Sequence, residues 1–441
     1  MAKRDPLTIG RARRAIKMGE LASQVGSSYL WTSLRRPFLN ASQRERELLE
    51  THIRNAQRIV EGSSQLRGAF LKLIQMLSMR HDLLPGEALD VLKATQSSVP
   101  PMSYAMISEQ IRRELGKKPE QLYRSFDQTA FAAASLGQVH RARLKDGREV
   151  AVKVQYPGVE HTVDQDLKNL KLLLKTLGAI ARDMMRQKID VDTIYVELEA
   201  RLKEELDYLL EARNMVEYGK LFAGDPDLMI PELIKELSSR RVITMSFVDG
   251  YPLIDVLGQA VDEELRRWVA RKCSEFAWRQ IVEFGVLHTD FHPGNYLITY
   301  HPKMGVLDFG SVRHFAEPVR KGYLQVAKAI IDNDDKSLAA GLVKLGYLDR
   351  EQNPAPMVKV IHILFEPMYT KGEYDPRAYD TVKKAQQVGE IALEHKLYKS
   401  PDHSVFLLRA LVGLEGIMTR LGVKDNYRNI FARCVERALS K

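Results

Sequence analysis

Only two cysteines occur, Cys273 and Cys434, and they stand far apart. Such spacing makes neither a disulfide framework nor a zinc pattern, so a reducing compartment is expected. No uncharged apolar run approaches the roughly 20 residues needed to cross a bilayer. The best stretch, Val405 to Met418, is interrupted by Arg409 and Glu415. The first residues lack the apolar segment of a secretory signal. No internal repeat, low-complexity tract or nucleic-acid-binding module is visible, so nucleic acid is not an expected partner. The setting that remains is intracellular: cytoplasmic, peripheral to a membrane, or organellar in a eukaryotic cell.

What is present is a globular composition, 45% hydrophobic and 28% charged, over 441 residues. That length exceeds one ordinary core and suffices for two or three lobes. The formal net charge of +9 suits an anionic partner such as a nucleotide or a phospholipid surface, without choosing between them. Part of the excess lies at the front, where Lys3, Arg4, Arg11, Arg13, Arg14 and Lys17 face only Asp5 and Glu20. This is either a solvated basic arm or a membrane-surface or transit segment. A second basic group, Arg112, Arg113, Lys117 and Lys118, reads as a solvated face.

Residues 1–125 read as helical. Leu66, Phe70, Leu73 and Leu77 recur at helical spacing, and further helices are expected near 86–95 and 103–115. From Thr129 to Gln155 the pattern turns strand-like, with Lys145-Asp146-Gly147 as a turn before Glu149 to Val154. Helical signal returns over 159–186 and 193–221. Strands flank Ser238-Ser239, and beyond Asp249-Gly250 the chain is mostly helical, interrupted by a hairpin of Tyr296 to Thr299 and Gly305 to Leu307. The expected organisation is α+β: a helical extension over 1–125, a small sheet with an inserted helix pair over 126–248, and a helical lobe over 249–441. A cleft between the last two is the natural ligand site.

The strongest chemical signal is His288-Thr289-Asp290-Phe291-His292-Pro293-Gly294-Asn295. An aspartate followed five residues later by an asparagine suits phosphoryl transfer: Asp290 accepts a hydroxyl proton, while the Asn295 amide oxygen binds a magnesium ion on phosphates. Thirteen residues beyond Asn295 comes Asp308-Phe309-Gly310, whose aspartate is the second magnesium ligand. The next signal is Val150-Ala151-Val152-Lys153. Strand alternation puts the valines on the covered face and Ala151 with Lys153 on the other, leaving room for an adenine ring and a cation for phosphates. A cleft lysine needs a carboxylate. On the helix 193–221, Asp207 and Glu211 share a face while Glu205 points roughly 200° away from Asp207. Glu211 is the expected partner of Lys153, with Glu205 or Asp207 meeting another element. Finally, Ala132-Ala133-Ala134-Ser135-Leu136-Gly137-Gln138-Val139 stands one hairpin before Lys153, where a phosphate-covering loop belongs. It reads either as such a loop, with alanines for most glycines, or as a helix start.

With these segments in place the chain resembles the AarF/UbiB family of atypical protein-kinase-like proteins, best over roughly residues 60–320. Two further stretches match it, Lys72-Leu73-Ile74-Gln75 and Glu205-Leu206-Asp207. The resemblance implies a protein-kinase-like bilobal fold whose N-terminal helical extension lies over the cleft. It implies that Lys72 and Gln75 point at the nucleotide and meet Glu205 and Asp207. It implies ATP and Mg2+ as cofactors, and a link to isoprenoid-quinone or lipid metabolism at membranes through peripheral contact with lipid or with lipid-pathway enzymes. It speaks against phosphorylation of other proteins. The sequence departs from the family at Ile74, where glycine is usual, at Phe291 in place of proline, and at Phe131. It also lacks the C-terminal transmembrane pair of some members. An ATPase or phosphotransferase is thus the favoured expectation. A small-metabolite kinase and a nucleotide-gated scaffold without turnover are the alternatives.

Overall fold

The valine alternation at 150–154 builds the centre of an antiparallel sheet in the computed structural model, which describes residues 11–35, 39–66, 102–134, 136–159, 163–175 apart from 165, 169 and 173, 191–258, 261–397 and 399–441. Lys72, Gln75 and Ser135, and the helices expected at 66–77 and 86–95, lie wholly or largely outside the described residues. The chain divides into two units. One comprises Met1–Leu210 and Leu233–Phe247, the other Glu211–Glu232 and Val248–Lys441.

In the first unit, β1 (Ser125–Phe126), β2 (Ala132–Ala134), β3 (Gly137–Arg143) and β4 (Glu149–Gln155) run in succession. After β5 (Leu228–Met229), which belongs to the second unit, the chain returns as β6 (Val242–Ser246). The strand order is β1-β3-β4-β6, with β2 paired to β3. β4 is therefore flanked on both sides, which suits its β-branched residues. Val150, Val152 and Val154 are buried against Ile107 and Ile111 of the helix Tyr104–Leu115. The β3–β4 turn is the expected one: Gly147 sits at φ +96°, a backbone that glycine adopts without strain. Tyr123 is buried behind the sheet. Its hydroxyl donates to Thr244 Oγ1 at 2.8 Å, because the Thr244 hydroxyl itself donates to the Leu237 carbonyl.

Two earlier helices, Arg11–Arg35 and Ala41–Leu66, pair antiparallel. Their seam mixes buried Val25, Ala56 and Ile59 with two polar rungs, Tyr29 to His52 at 2.7 Å and Thr32 to Thr51 at 2.8 Å. Burial lowers the His52 pKa to about 4, so that ring stays neutral.

The second unit carries β7 (Gly250–Pro252), β9 (Tyr296–Thr299) and β10 (Met304–Val306) in the sheet order β5-β10-β9-β7. A separate pair joins β8 (Val286–His288) to β11 (Val312–His314). Around them lie Glu263–Trp278, Glu317–Asp332, Asp335–Lys344, Asp402–Leu421 and Tyr427–Leu439 among other helices. Glu263–Trp278 begins at Asp262, whose carboxylate caps the Glu264 and Leu265 amides, and runs on into a π-helical turn, Arg279–Phe284.

Two differences from expectation have clear causes. Residues 211–232, placed with the small sheet by the sequence, belong to the second unit. β5 pairs with β10, Asn214 Nδ2 donates to the Phe309 carbonyl at 2.9 Å, and Asp225 pairs with Arg279. The single helix expected over 193–221 is two, Val191–Glu205 and Tyr208–Leu221. At the break, Gln155 Nε2 donates to the Leu206 carbonyl at 3.1 Å, so the freed carbonyl keeps a partner.

Arg279 joins two acidic side chains in the second unit, Asp225 and, at 2.9 Å, Glu283; the three side chains are 8%, 7% and 2% exposed. Glu283 also pairs with Lys441 at 2.7 Å, so removing Arg279 strands chiefly Asp225. Arg279→Met is expected to cost about 3–5 kcal/mol by chemical denaturation. A cost near zero would mean that the network adds nothing to stability.

Candidate active site

The catalytic candidates of the second unit are placed by strand pairing. β9 and β10 are antiparallel with Tyr296 opposite Val306, and the Leu307 amide donates to the Asn295 carbonyl at 3.0 Å. This register sets Asn295 and Asp308 at the same end of the hairpin. β8 feeds the loop that carries Asp290, and its partner β11 begins just after Gly310.

His288 links the two acidic segments. It is fully buried, its amide donates to Gln280 Oε1 at 2.7 Å, and its Nδ1 accepts the Asp290 amide at 3.3 Å. With Nδ1 acting as acceptor, Nε2 carries the proton, and it donates to the Asp308 carbonyl. Within the loop, Asn295 Nδ2 donates to the Asp290 carbonyl at 3.1 Å and to Oδ2 at 3.2 Å. This leaves the Asn295 side-chain oxygen, Oδ1, as the atom able to coordinate a cation. Asp308 Oδ1 accepts the Gly310 amide at 2.8 Å. Asn295 and Asp308 thus offer hard oxygen donors, which fit magnesium; that ion commonly takes one or two protein ligands and fills its shell with water and phosphate oxygens. Among the described residues no cluster of three or more His, Cys, Asp or Glu forms an all-protein cage.

The sequence did not reveal Arg409. Its Nη2 lies 3.2 Å from Asp290 Oδ1, across 119 residues. The reason it reaches is Gly413, one turn further along Asp402–Leu421. A Cβ on Gly413 would come within 2.9 Å of the Phe291 Cβ and carbonyl oxygen. The bare glycine lets the helix lie directly on the loop. An arginine inside the apolar run 405–418 was the available signal, since a cation there needs a partner. Phe291 is itself buried, with its ring centroid 6.1 Å from Phe276 and 5.9 Å from Tyr296.

In the first unit, Ala132, Val139, Lys153 and Ile243 lie opposite one another across four strands. Directly opposed residues share a face, so Lys153 stands in one row with Ala132. Its Nζ is 5.1 Å from the centre of the Tyr208 ring. The segment Ala132, Ala133, Ala134 is a strand rather than an open loop or a helix start. Gly137 explains why the hairpin closes: a Cβ there would come within 2.3 Å of the Val154 carbonyl oxygen and 2.8 Å of the Tyr208 hydroxyl. Ala151 is buried on β4, opposite Arg141 on one side and Met245 on the other.

The acidic candidates fall into distinct settings. Glu205 ends its helix. Asp207 does not share a helical face with Glu211. It stands just outside the next helix, where its Oδ1 accepts the Leu209 and Leu210 amides at 3.1 Å each, a favoured role for aspartate at a helix start. Glu211 lies in the first turn of Tyr208–Leu221 and is 5% exposed.

The ABC1 atypical kinase-like domain matches residues 94–342, more than half of the chain. This chain belongs to the ABC1 atypical kinase-like family. The mitochondrial atypical kinase COQ8B of Rattus norvegicus is 32% identical over 86% of this chain and 71% of its own length. The mitochondrial atypical kinase coq-8 of Caenorhabditis elegans is also 32% identical, over 81% of this chain and 48% of its own. An uncharacterized chloroplastic aarF domain-containing protein kinase of Arabidopsis thaliana is 32% identical over 82% of this chain and 50% of its own. The chain thus spans about half the length of the last two relatives. The same α+β fold occurs in a Mycobacterium tuberculosis protein solved with erythromycin, at a TM-score of 0.59 and 23% identity, covering 90% of this chain and 99% of that one. The AarF/UbiB resemblance of the motifs and the ABC1 match point to one family, and the kinase-like fold follows from it.

For this ABC1 family member, two glycines of one helix should respond in opposite ways. Gly416 has open space around it, whereas Gly413 meets Phe291. Gly416→Ala is expected to stabilise the protein by about 0.5–1 kcal/mol through helix propensity. Gly413→Ala should destabilise it by about 1–3 kcal/mol through the forced shift. Equal shifts in urea midpoint would show that the helix does not depend on Gly413 for its seat.

Proposed function

We propose that the chain is a magnesium-dependent ATP-binding phosphotransferase or ATPase acting in isoprenoid-quinone or lipid metabolism at membranes. The observation that supports this reading best is the pair of acidic segments tied by His288, with Asn295 and Asp308 offering cation-binding oxygens and Asp290 beside them. A bound magnesium would neutralise charge on the phosphates. Asn295 and Asp308 would hold it. Asp290 would orient the attacking hydroxyl or water and accept its proton. Lys153 would bind phosphate oxygens, with Glu211 fixing the ammonium. Ala151 and Val139 would leave space for the base, and the hairpin of Ala132, Ala133, Ala134, Ser135 and Gly137 would cover the phosphates. Lys72 and Gln75, with Glu205 and Asp207, would act on nucleotide choice and turnover.

A peripheral membrane contact belongs to the same proposal. No helix among the described residues is long and apolar enough to cross a membrane. Leu30, Trp31 and Leu34 on the helix Arg11–Arg35 are nevertheless 62%, 64% and 60% exposed and share one side beside Arg35. An exposed tryptophan next to basic residues suits a lipid–water interface.

A second reading is a nucleotide-gated scaffold without turnover. It draws on Arg409 and Asn295, which occupy both carboxylate oxygens of Asp290 and so compete with an incoming hydroxyl or water.

Magnesium-dependent phosphate release, measured with and without anionic vesicles, separates the two. The enzyme reading expects release in the unmodified protein and a fall of about 10²–10⁴-fold in Asp290→Asn with nucleotide binding kept. Normal release by that variant would remove Asp290 from the chemistry, and no release under any condition would favour the scaffold. Lys153→Met should weaken nucleotide binding by about 1–3 kcal/mol, read by calorimetry. Unchanged affinity would make Lys153 an ordinary strand lysine.

A further inference from the structure

One buried asparagine of the second unit has no place in the chemistry described so far. Asn214 lies on the helix Tyr208–Leu221 among buried Ala212, Met215 and Tyr218, and is itself 3% exposed. Asparagine is a poor helix former, and a buried amide is costly unless it finds partners. The Asn214 Nδ2 donates to the Phe309 carbonyl at 2.9 Å, across 95 residues. Four residues on, along the same helix face, the Tyr218 ring lies with its centroid 5.3 Å from that of Phe309. A leucine at 214 would fill the same space. What the asparagine adds is the donor.

The acceptor belongs to a peptide group with a second task. The Phe309 carbonyl and the Gly310 N–H share one planar unit and point in opposite directions. The Gly310 N–H donates to Asp308 Oδ1 at 2.8 Å. Rotation of the unit would break the bond at each end together. The glycine that follows it offers the backbone little resistance to such rotation. The preceding peptide group is held separately, because the Asp308 carbonyl accepts from His288 Nε2. Asn214 thus holds the Phe309–Gly310 unit by its carbonyl, and the N–H of the same unit holds the Asp308 carboxylate.

We propose that Asn214 is a positioning residue for magnesium: by locking the Phe309–Gly310 peptide group it sets the rotation of the Asp308 carboxylate, and so the direction in which that group offers oxygen to the ion. This rests on the reading of Asp308 as a metal ligand. Asn214 acts through one peptide group and has no need to touch the metal. The precision matters because magnesium demands near-ideal octahedral geometry at about 2.0–2.1 Å. A carboxylate free to swing presents the right geometry only part of the time.

The test has one arm without ligand and one with it, both on the full chain. In the metal-free protein, hydrogen exchange read on peptides that contain Gly310 should show a protected amide. Asn214→Leu, which keeps the volume, and Asn214→Asp, which keeps the shape, should each speed exchange there about three- to tenfold. Exchange in β9 should stay unchanged. The second arm titrates a non-hydrolysable ATP analogue by calorimetry over a range of free Mg2+. The Mg2+ concentration giving half of its effect on affinity should rise about three- to tenfold in both variants, with affinity in EDTA unchanged. A merely structural role would weaken binding alike in both conditions. The proposal is overturned by an unprotected Gly310 amide in the unmodified protein, by unaltered exchange there in the variants, or by an unaltered Mg2+ requirement. The first of these outcomes stands even if neither variant folds. Absence of any nucleotide binding by the unmodified protein would sink the nucleotide reading, while exchange at Gly310 decides separately whether Asn214 holds Asp308.

Discussion

One buried imidazole constrains everything in the second half of the candidate site. His288 takes a hydrogen from the Asp290 backbone and gives one to the Asp308 backbone, so two loops from different strands are held at a fixed spacing. A ring with one acceptor and one donor nitrogen can do both at once. Gln280, in the π-helical turn, holds the His288 backbone by accepting its amide, and also accepts the Tyr218 hydroxyl at 2.6 Å. A catalytic loop needs this kind of support, since misplacement by an ångström weakens positioning.

The same logic of close approach recurs where glycine stands. Gly413 lets a long helix rest on the Asp290 loop, and that seat brings Arg409 within reach. Gly137 lets the alanine hairpin fold against Val154 and Tyr208. Neither glycine has a positive φ. Each is there for the missing side chain, and in each case the gain is a functional candidate brought to its neighbours. The π-helical turn works alongside, since Arg279 in it collects Asp225 and so ties residues 211–232 into the second unit.

Much of this was legible in the sequence wherever the signal was local. The hairpin read at Tyr296 to Thr299 and Gly305 to Leu307 is β9 and β10 to within a residue. The valine alternation named the buried face of β4, and Lys145-Asp146-Gly147 named its turn. The distance from Asp290 to Asn295 and on to Asp308 was enough to propose a phosphate site, and these stretches lie within the family match over residues 94–342. What stayed hidden depends on partners far along the chain. The Asp290–Arg409 pair spans 119 residues. The three-residue strands β8 and β11 are too short to show a period. The helix break before Tyr208 is fixed by Gln155 from a different strand, so helical propensity alone ran straight through it. The alanine tract was ambiguous because alanine suits a helix, and only its pairing with β3 settles it as a strand.

The central proposal is that the oxygens of Asn295 and Asp308 would hold magnesium on a nucleotide whose phosphates Lys153 would also bind. A crystal structure of the full chain with magnesium and a non-hydrolysable ATP analogue tests it most directly. The account predicts one metal ion coordinated by the Asn295 amide oxygen and the Asp308 carboxylate, with Lys153 Nζ on a phosphate oxygen of the same nucleotide. A nucleotide bound without contact to Asn295 and Asp308, or bound with Lys153 turned elsewhere, would contradict it.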